Sequence, residues 1–159
     1  MAAFTDAENR TWVVQINVDV IKRVRALLDV DLLDMVNGRL FGRLASDPVL
    51  LCDVLYAVCK PQADEHGVSD EDFGRAMVGD VIEQATEALL EELANFFPSR
   101  TGQVLRQMLQ KMKTLEEMVL DAATARLESG EIEERLRAEL QFGSSSTSSA
   151  ESQGSSPGR

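Results

Sequence analysis

From Phe73 to Ala122 apolar residues recur at helical spacing, and this run decides what the chain can become. Phe73, Ala76, Met77, Val81, Ile82, Ala85, Ala88, Leu89, Leu93, Phe96 and Phe97 hold the period up to Pro98. Beyond it Leu105, Met108, Met112, Leu115, Val119 and Ala122 follow at alternate steps of three and four. Such spacing puts one stripe down one face of a helix, and the 3-4 alternation is that of a heptad seam. No sheet accommodates it, because strand side chains alternate with a period of two. Aromatic residues are only 5% of the 159 positions, so a core must come from Leu, Val, Ile, Met and Ala, which suits packed helices. The predicted fold is mainly α.

The one β signal lies at the start. Trp12, Val14, Ile16 and Val18 alternate with Val13, Gln15 and Asn17, which predicts a strand over Thr11 to Val18. A lone strand needs a partner. Either Phe4 to Glu8 folds back across Asn9-Arg10, or another copy of the chain pairs with it. Asp19 then reads as the cap of a helix over 20–28, with Ile21, Val24, Leu27 and Leu28 inward. A turn over 29–34 leads to a second helix from Leu32 to Leu44, weakened by Gly38 and Gly42. Asp47-Pro48 is a helix start of the Asp-cap, Pro-first kind, and Pro61 is expected to stop that helix. Ser69 with Asp72 three residues on opens the next, and Gly79-Asp80 kinks or divides it. Ser99 opens a long helix to about Glu128, and after Ser129-Gly130 a short one over 131–140 carries Ile132, Leu136 and Leu140 on one stripe. From Gly143 to Arg159 the chain is Ser-, Gly- and polar-rich, the composition of a disordered tail. The organisation read here is a compact helical domain with its N-terminal strand or hairpin (1–98), a long amphipathic helix with a short one (99–142), and the tail (143–159). Ile16, Leu27, Leu51, Leu55, Val81, Leu89 and Leu93 are the expected core.

Charge narrows the function. With a net charge of −11, the chain lacks the clustered Lys and Arg that phosphate binding requires, so nucleic acid is not expected as its partner. Lys22, Arg23, Arg25, Arg39 and Arg43 read as the solvated faces of amphipathic helices. Cys52 and Cys59, if helical, lie two turns apart at about 10 Å, too far for a disulfide, and as buried small hydrophobes they imply a reducing compartment. No apolar N-terminal run and no span of bilayer length is visible, so the chain is expected in the cytoplasm. His66, the only histidine, reads as a solvated loop residue. Two Cys and one His make no zinc set, and the acids around Asp64 and Asp70 do not follow an EF-hand pattern. With no nucleophile, phosphate loop or metal motif in sight, neither catalysis nor a cofactor is expected.

That leaves binding to protein. Met is an adaptable contact residue, and the Met-bearing seam either packs on the preceding helix or meets another chain. The expected division packs Leu105 and Met108 on Phe96-Phe97 and leaves the seam free from Met112 onward. Met112, Leu115, Val119, Ile132, Leu136 and Leu140 are therefore the candidate partner-binding residues.

The order of elements carries a resemblance. The R-x-W-x-V-x-I-x-V stretch from Arg10 to Val18 is followed by Ile21-Lys22-Arg23-Val24 and Val30-Asp31-Leu32-Leu33. Then come Asp47-Pro48-Val49-Leu50-Leu51, Gly67 to Phe73, and Phe96-Phe97-Pro98. Over residues 4–98 this resembles the small tail assembly chaperones of long-tailed phages and prophages, and of related gene transfer agents. The resemblance implies a non-enzymatic protein of the host cytoplasm that covers the tape measure protein until tail tube subunits polymerise around it, with homo-oligomers a further option. The alternative is a generic cytoplasmic helical adaptor or regulatory protein.

Overall fold

Two short strands meet at a buried carboxylate. In the computed structural model, which describes residues 1–143, β1 (Ala2–Thr5) pairs antiparallel with β2 (Thr11–Val14), Phe4 opposite Trp12 and Ala2 opposite Val14. The connecting turn is organised by Asp6. Its Oδ1 accepts the backbone N–H groups of Glu8 and Arg10, both at 2.9 Å, and its Oδ2 accepts Arg10 Nε at 2.7 Å and Trp12 Nε1 at 2.8 Å. Asn9 takes the left-handed conformation (φ 60°) that Asn tolerates better than most residues. Burial pushes the Asp6 pKa up, but the hydrogen bonds from Trp12 and Arg10 outweigh it and hold the carboxyl below its ordinary value.

A two-stranded sheet is marginal alone, and here helices secure both of its edges. On the outer side of β2, the Val13 N–H donates to Gln62 Oε1 at 2.9 Å and the Val13 carbonyl accepts Gln62 Nε2 at 2.7 Å. On β1, the Ala2 N–H donates to Glu92 Oε1 at 3.1 Å. The hairpin is thus closed within the chain, with Ala2–Thr5 as the partner strand.

The strand is shorter than the alternation predicts. Val18 is the first residue of α1 (Val18–Leu28), capped by Asn17, whose side chain accepts the Val20 N–H at 3.0 Å. Asp19 lies in the first turn rather than at the cap, where its charge suits the helix dipole. Val20, Ile21 and Val24 are the buried face. Leu27 is 57% exposed; at 100° per residue it sits roughly 70° from that face's mid-line, near the end of the helix. The expected helix from Leu32 to Leu44 is in fact a 3₁₀ turn (Leu32–Met35), then α2 (Arg39–Ser46), separated by Gly38 at φ 72°.

α3 (Pro48–His66) starts as expected, with Asp47 Oδ1 accepting the N–H groups of Val49 and Leu50, both at 3.0 Å. It does not stop before Pro61. A proline inside a helix leaves the carbonyl four residues back without its N–H donor, and that carbonyl belongs to Ala57. Arg23 Nη1 from α1 lies 3.4 Å from the Ala57 oxygen and 3.5 Å from that of Val58, so the orphaned acceptor is served from outside the helix. Arg23 is therefore a packing residue and not only a solvated one. The helix ends at Gly67, φ 65°.

Ser69 caps α4 (Asp70–Ala76) by accepting the Asp72 N–H at 3.1 Å. Gly79 divides the long pattern, and α5 (Asp80–Phe96) follows. Next come α6 (Ser99–Glu128) and α7 (Glu131–Gly143), so seven α-helices follow the hairpin among the described residues. The tail expected over 143–159 lies, from residue 144, outside them.

β1 packs on α5 and β2 on α3. Phe73 gathers three of the few aromatic rings edge-on, Trp12 at 5.0 Å, Tyr56 at 5.5 Å and Phe4 at 6.5 Å between centroids. Of the expected core, Ile16, Leu51, Leu55, Leu89 and Leu93 are buried, while Val81 is half-buried. The chain divides into two compact units, the first Met1–Lys111, the second beginning at Met112. The first takes in the opening turns of α6 because Gly102 and Leu105 are buried there.

Two substitutions test this account. Asp6→Asn should cost about 2 kcal/mol, through loss of the charge-assisted bonds to Arg10 and Trp12. Because the Asp6 pKa is lowered on folding, its stabilisation is full above the unfolded-state pKa and fades as pH falls toward the folded value. Urea melts should therefore show a smaller loss of stability on acidification for the variant than for the parent. Gly102→Ala separates propensity from packing. Propensity favours Ala by about 1 kcal/mol, but its Cβ would stand 2.5 Å from the backbone oxygen of Ala94. The clash should win, and the same melts should show a net loss of about 2 kcal/mol.

Candidate functional site

The second unit is built differently from the first. Among residues 112–143 every side chain is exposed, apart from half-buried Gly130 at the turn between α6 and α7. The six candidate residues are all there, and their exposure runs from 41% at Met112 to 75% at Leu140. Leu115, Val119, Ile132 and Leu136 lie between those limits. Met118, Leu120 and Leu127, which lie off the seam, are exposed as well. Helices in proteins draw most of their stability from burying an apolar face, and short isolated ones are marginal in water. This unit keeps its apolar stripes on the outside.

The seam divides one turn earlier than its spacing leads one to expect. Leu105 is buried and belongs to the core, against which Phe96 and Phe97 also pack. Met108 is 46% exposed, so it belongs with the free stretch. Gly102 explains the position of the boundary: it brings α6 within contact of the Ala94 carbonyl at the end of α5. The sequence pattern carries no sign of that close approach beyond the glycine itself.

Charges of both signs border the stripes: Lys111 stands four residues before Leu115, Arg135 three after Ile132 and Arg137 three before Leu140. Glu116 stands four residues after Met112 and three before Val119, and Glu133 and Glu139 each stand three residues from Leu136. Those separations make neighbours on a helix surface. Residues 112–143 hold eight Asp and Glu against four Lys and Arg.

The first unit offers little that resembles a reaction site. An open cleft of about 550 Å³ is lined by Arg10, Thr11, His66, Gly67, Val68 and Asp72. His66 is the last residue of α3 rather than a loop residue, exposed, with its ring edge-on to Trp12 at 6.2 Å between centroids. The Arg10 guanidinium is held by Asp6 and reaches the Asp72 carbonyl at 3.4 Å. Cys52 and Cys59 are free thiols. Burial pushes Cys59 up to about 12 and, with Asp53 and Asp70 near it, Cys52 up to about 11, which keeps both protonated and unreactive at neutral pH. Among the described residues no group of three His, Cys, Asp or Glu gathers as metal ligands do, and no helix is long and apolar enough to cross a membrane.

No family model, curated protein or solved structure matches the chain.

The residues that sequence reasoning passed over are polar: Asp6, Gln62, Glu92 and Gly102's neighbour, the Ala94 carbonyl. Asp6 had one usable signal, since Arg10 and Trp12 stand four and six residues after it across a turn. The boundary in α6 can be tested directly. Leu105→Asp should cost about 3 kcal/mol or more by burying an unpaired charge. Leu115→Asp, at a position 59% exposed, should leave the unfolding of the Trp12-containing unit within about 0.5 kcal/mol of the parent. Tryptophan fluorescence during urea unfolding reads that unit, since Trp12 is the only Trp.

Proposed function

We propose that this chain is a non-enzymatic protein-binding protein, a tail assembly chaperone that covers the tape measure protein until tail tube subunits assemble. One observation carries the binding part of this reading: the apolar stripes of residues 112–143 are all solvent-facing. An exposed apolar surface rimmed by polar residues is what interaction sites present, and the unit's net negative charge keeps it in solution until its client arrives. The tail-assembly part rests on the resemblance over residues 4–98. A long helical client with apolar stripes of its own would aggregate if left uncovered, and reversible helix-on-helix cover prevents that.

The reading assigns distinct work to the two units. The first provides a stable folded body; the second provides the contact surface, with Met112, Leu115, Val119, Ile132, Leu136 and Leu140 against the client. The test is co-expression with the tape measure protein encoded beside it in a tail gene cluster. The client should stay in the supernatant with the parent chain. It should pellet when Leu115 and Leu136 are both replaced by Asp. A client equally soluble with either chain overturns the reading. A partner captured by the same face but encoded outside any tail cluster would favour the helical adaptor.

A further inference from the structure

We propose that a second copy of this chain covers the exposed stripe of α6, its own α6 running parallel and in register with the first. This rests on the protein-binding reading above and deepens it: the copy shields the stripe until a client helix replaces it, and the stripe on α7 takes no part. Two observations carry it. Met108, Met112, Leu115 and Val119 are between 41% and 67% exposed, and with exposed Ala122 they form a seam at steps of four, three, four and three. The residues that flank this seam complement one another across a parallel pair.

With Met112 and Val119 at heptad positions a, and Met108, Leu115 and Ala122 at d, the flanking e and g positions are Leu109, Lys111, Glu116, Met118, Ala123 and Ala125. Four of the six are apolar. The two charged ones are opposite in sign and five residues apart. A parallel two-stranded coil sets each g residue against the e residue five further on in its partner, and such pairs choose partner and orientation. Lys111 thus faces Glu116 of the second copy, Met118 faces Ala123 of the second copy, and by symmetry each contact occurs twice. Both charged residues are exposed, and among the described residues neither has an ion pair within its own chain. An antiparallel pair sets e against e and g against g, so there Lys111 and Glu116 never meet. The other acids of this stretch, Glu117 and Asp121, stand at f and c on the outward face, so no like charges oppose across the seam. Arg126 takes the next a position and ends it.

Sedimentation equilibrium of the full chain tests this. At tens of micromolar the chain should be a dimer, and Leu115→Asp combined with Val119→Asp should make it a monomer. Both positions are exposed, so Trp12 fluorescence should report unchanged unfolding of the first unit. Lys111→Glu alone and Glu116→Lys alone should each weaken the dimer by about tenfold. The two together, K111E/E116K, should restore it, because the pair is then only exchanged. Ala122→Cys should cross-link two copies on mild oxidation, since parallel helices bring both 122 positions into one layer. The parent chain carried through the same oxidation is the control.

A monomer at that concentration overturns the proposal. So does a dimer that the Leu115 and Val119 replacements leave intact, since another face then joins the copies. Single charge changes without effect, an exchanged pair that restores nothing, or an Ala122→Cys chain that does not cross-link would each overturn the parallel alignment and the proposal with it. The co-expression experiment fails independently: a monomer can cover a tape measure protein, and a seam dimer can form in a chain that serves none.

Discussion

The first unit depends on sealing a hairpin too small to stand by itself. Four residues in each strand give few backbone bonds, and both outer edges would otherwise leave polar groups next to a packed core. The chain answers with side chains rather than further strands. Gln62 takes both polar groups of Val13 from one side, and Glu92 takes the Ala2 amide from the other. Asp6 fixes the turn and holds the Trp12 ring through its N–H, so the largest residue of the core enters it in one orientation. Helices α3 and α5 can then pack on the sheet because each has sent a polar group to its edge.

How far the fold is legible in the sequence follows from which forces are local. The helix starts at Asp47-Pro48 and Ser69 were readable because a cap and the amides it serves lie within three residues. The mainly α class was readable from periodicity, whereas the hairpin was one of two open pairings, and its partner strand is Ala2–Thr5 rather than Phe4 to Glu8. The misplaced boundaries came from forces that act at a distance. Pro61 breaks a helix by any local rule, and only Arg23, far away in sequence, explains why α3 continues. Val18 continues the alternation of β2, yet Asn17 captures it for α1. Leu27 is apolar and close to the right spacing, but it stands off the mid-line of the face that Val20, Ile21 and Val24 bury.

The candidate site divides in the same way. That α6 carries a seam is visible in its spacing, and so is the stripe on α7. Where the seam stops being core is not, because burial at Leu105 is decided by how closely α6 approaches Ala94, and only the absent Cβ of Gly102 hints at it. The three polar residues that secure the hairpin were equally silent, since an Asp, Gln or Glu looks like any surface residue until its donors and acceptors are placed.

The service that Arg23 renders to Pro61 has a consequence for how such a chain can drift. Replace Pro61 with Ala and α3 recovers its own bond to the Ala57 carbonyl, so Arg23 loses one of its tasks and keeps the ion pair with Asp19 at 2.8 Å. Replace Arg23 first and the carbonyl is stranded beside a proline that cannot help it. The two positions are coupled, and the order of change matters: one route passes through a neutral intermediate, the other through a damaged one. Among relatives of this chain, loss of the arginine should follow loss of the proline rather than precede it.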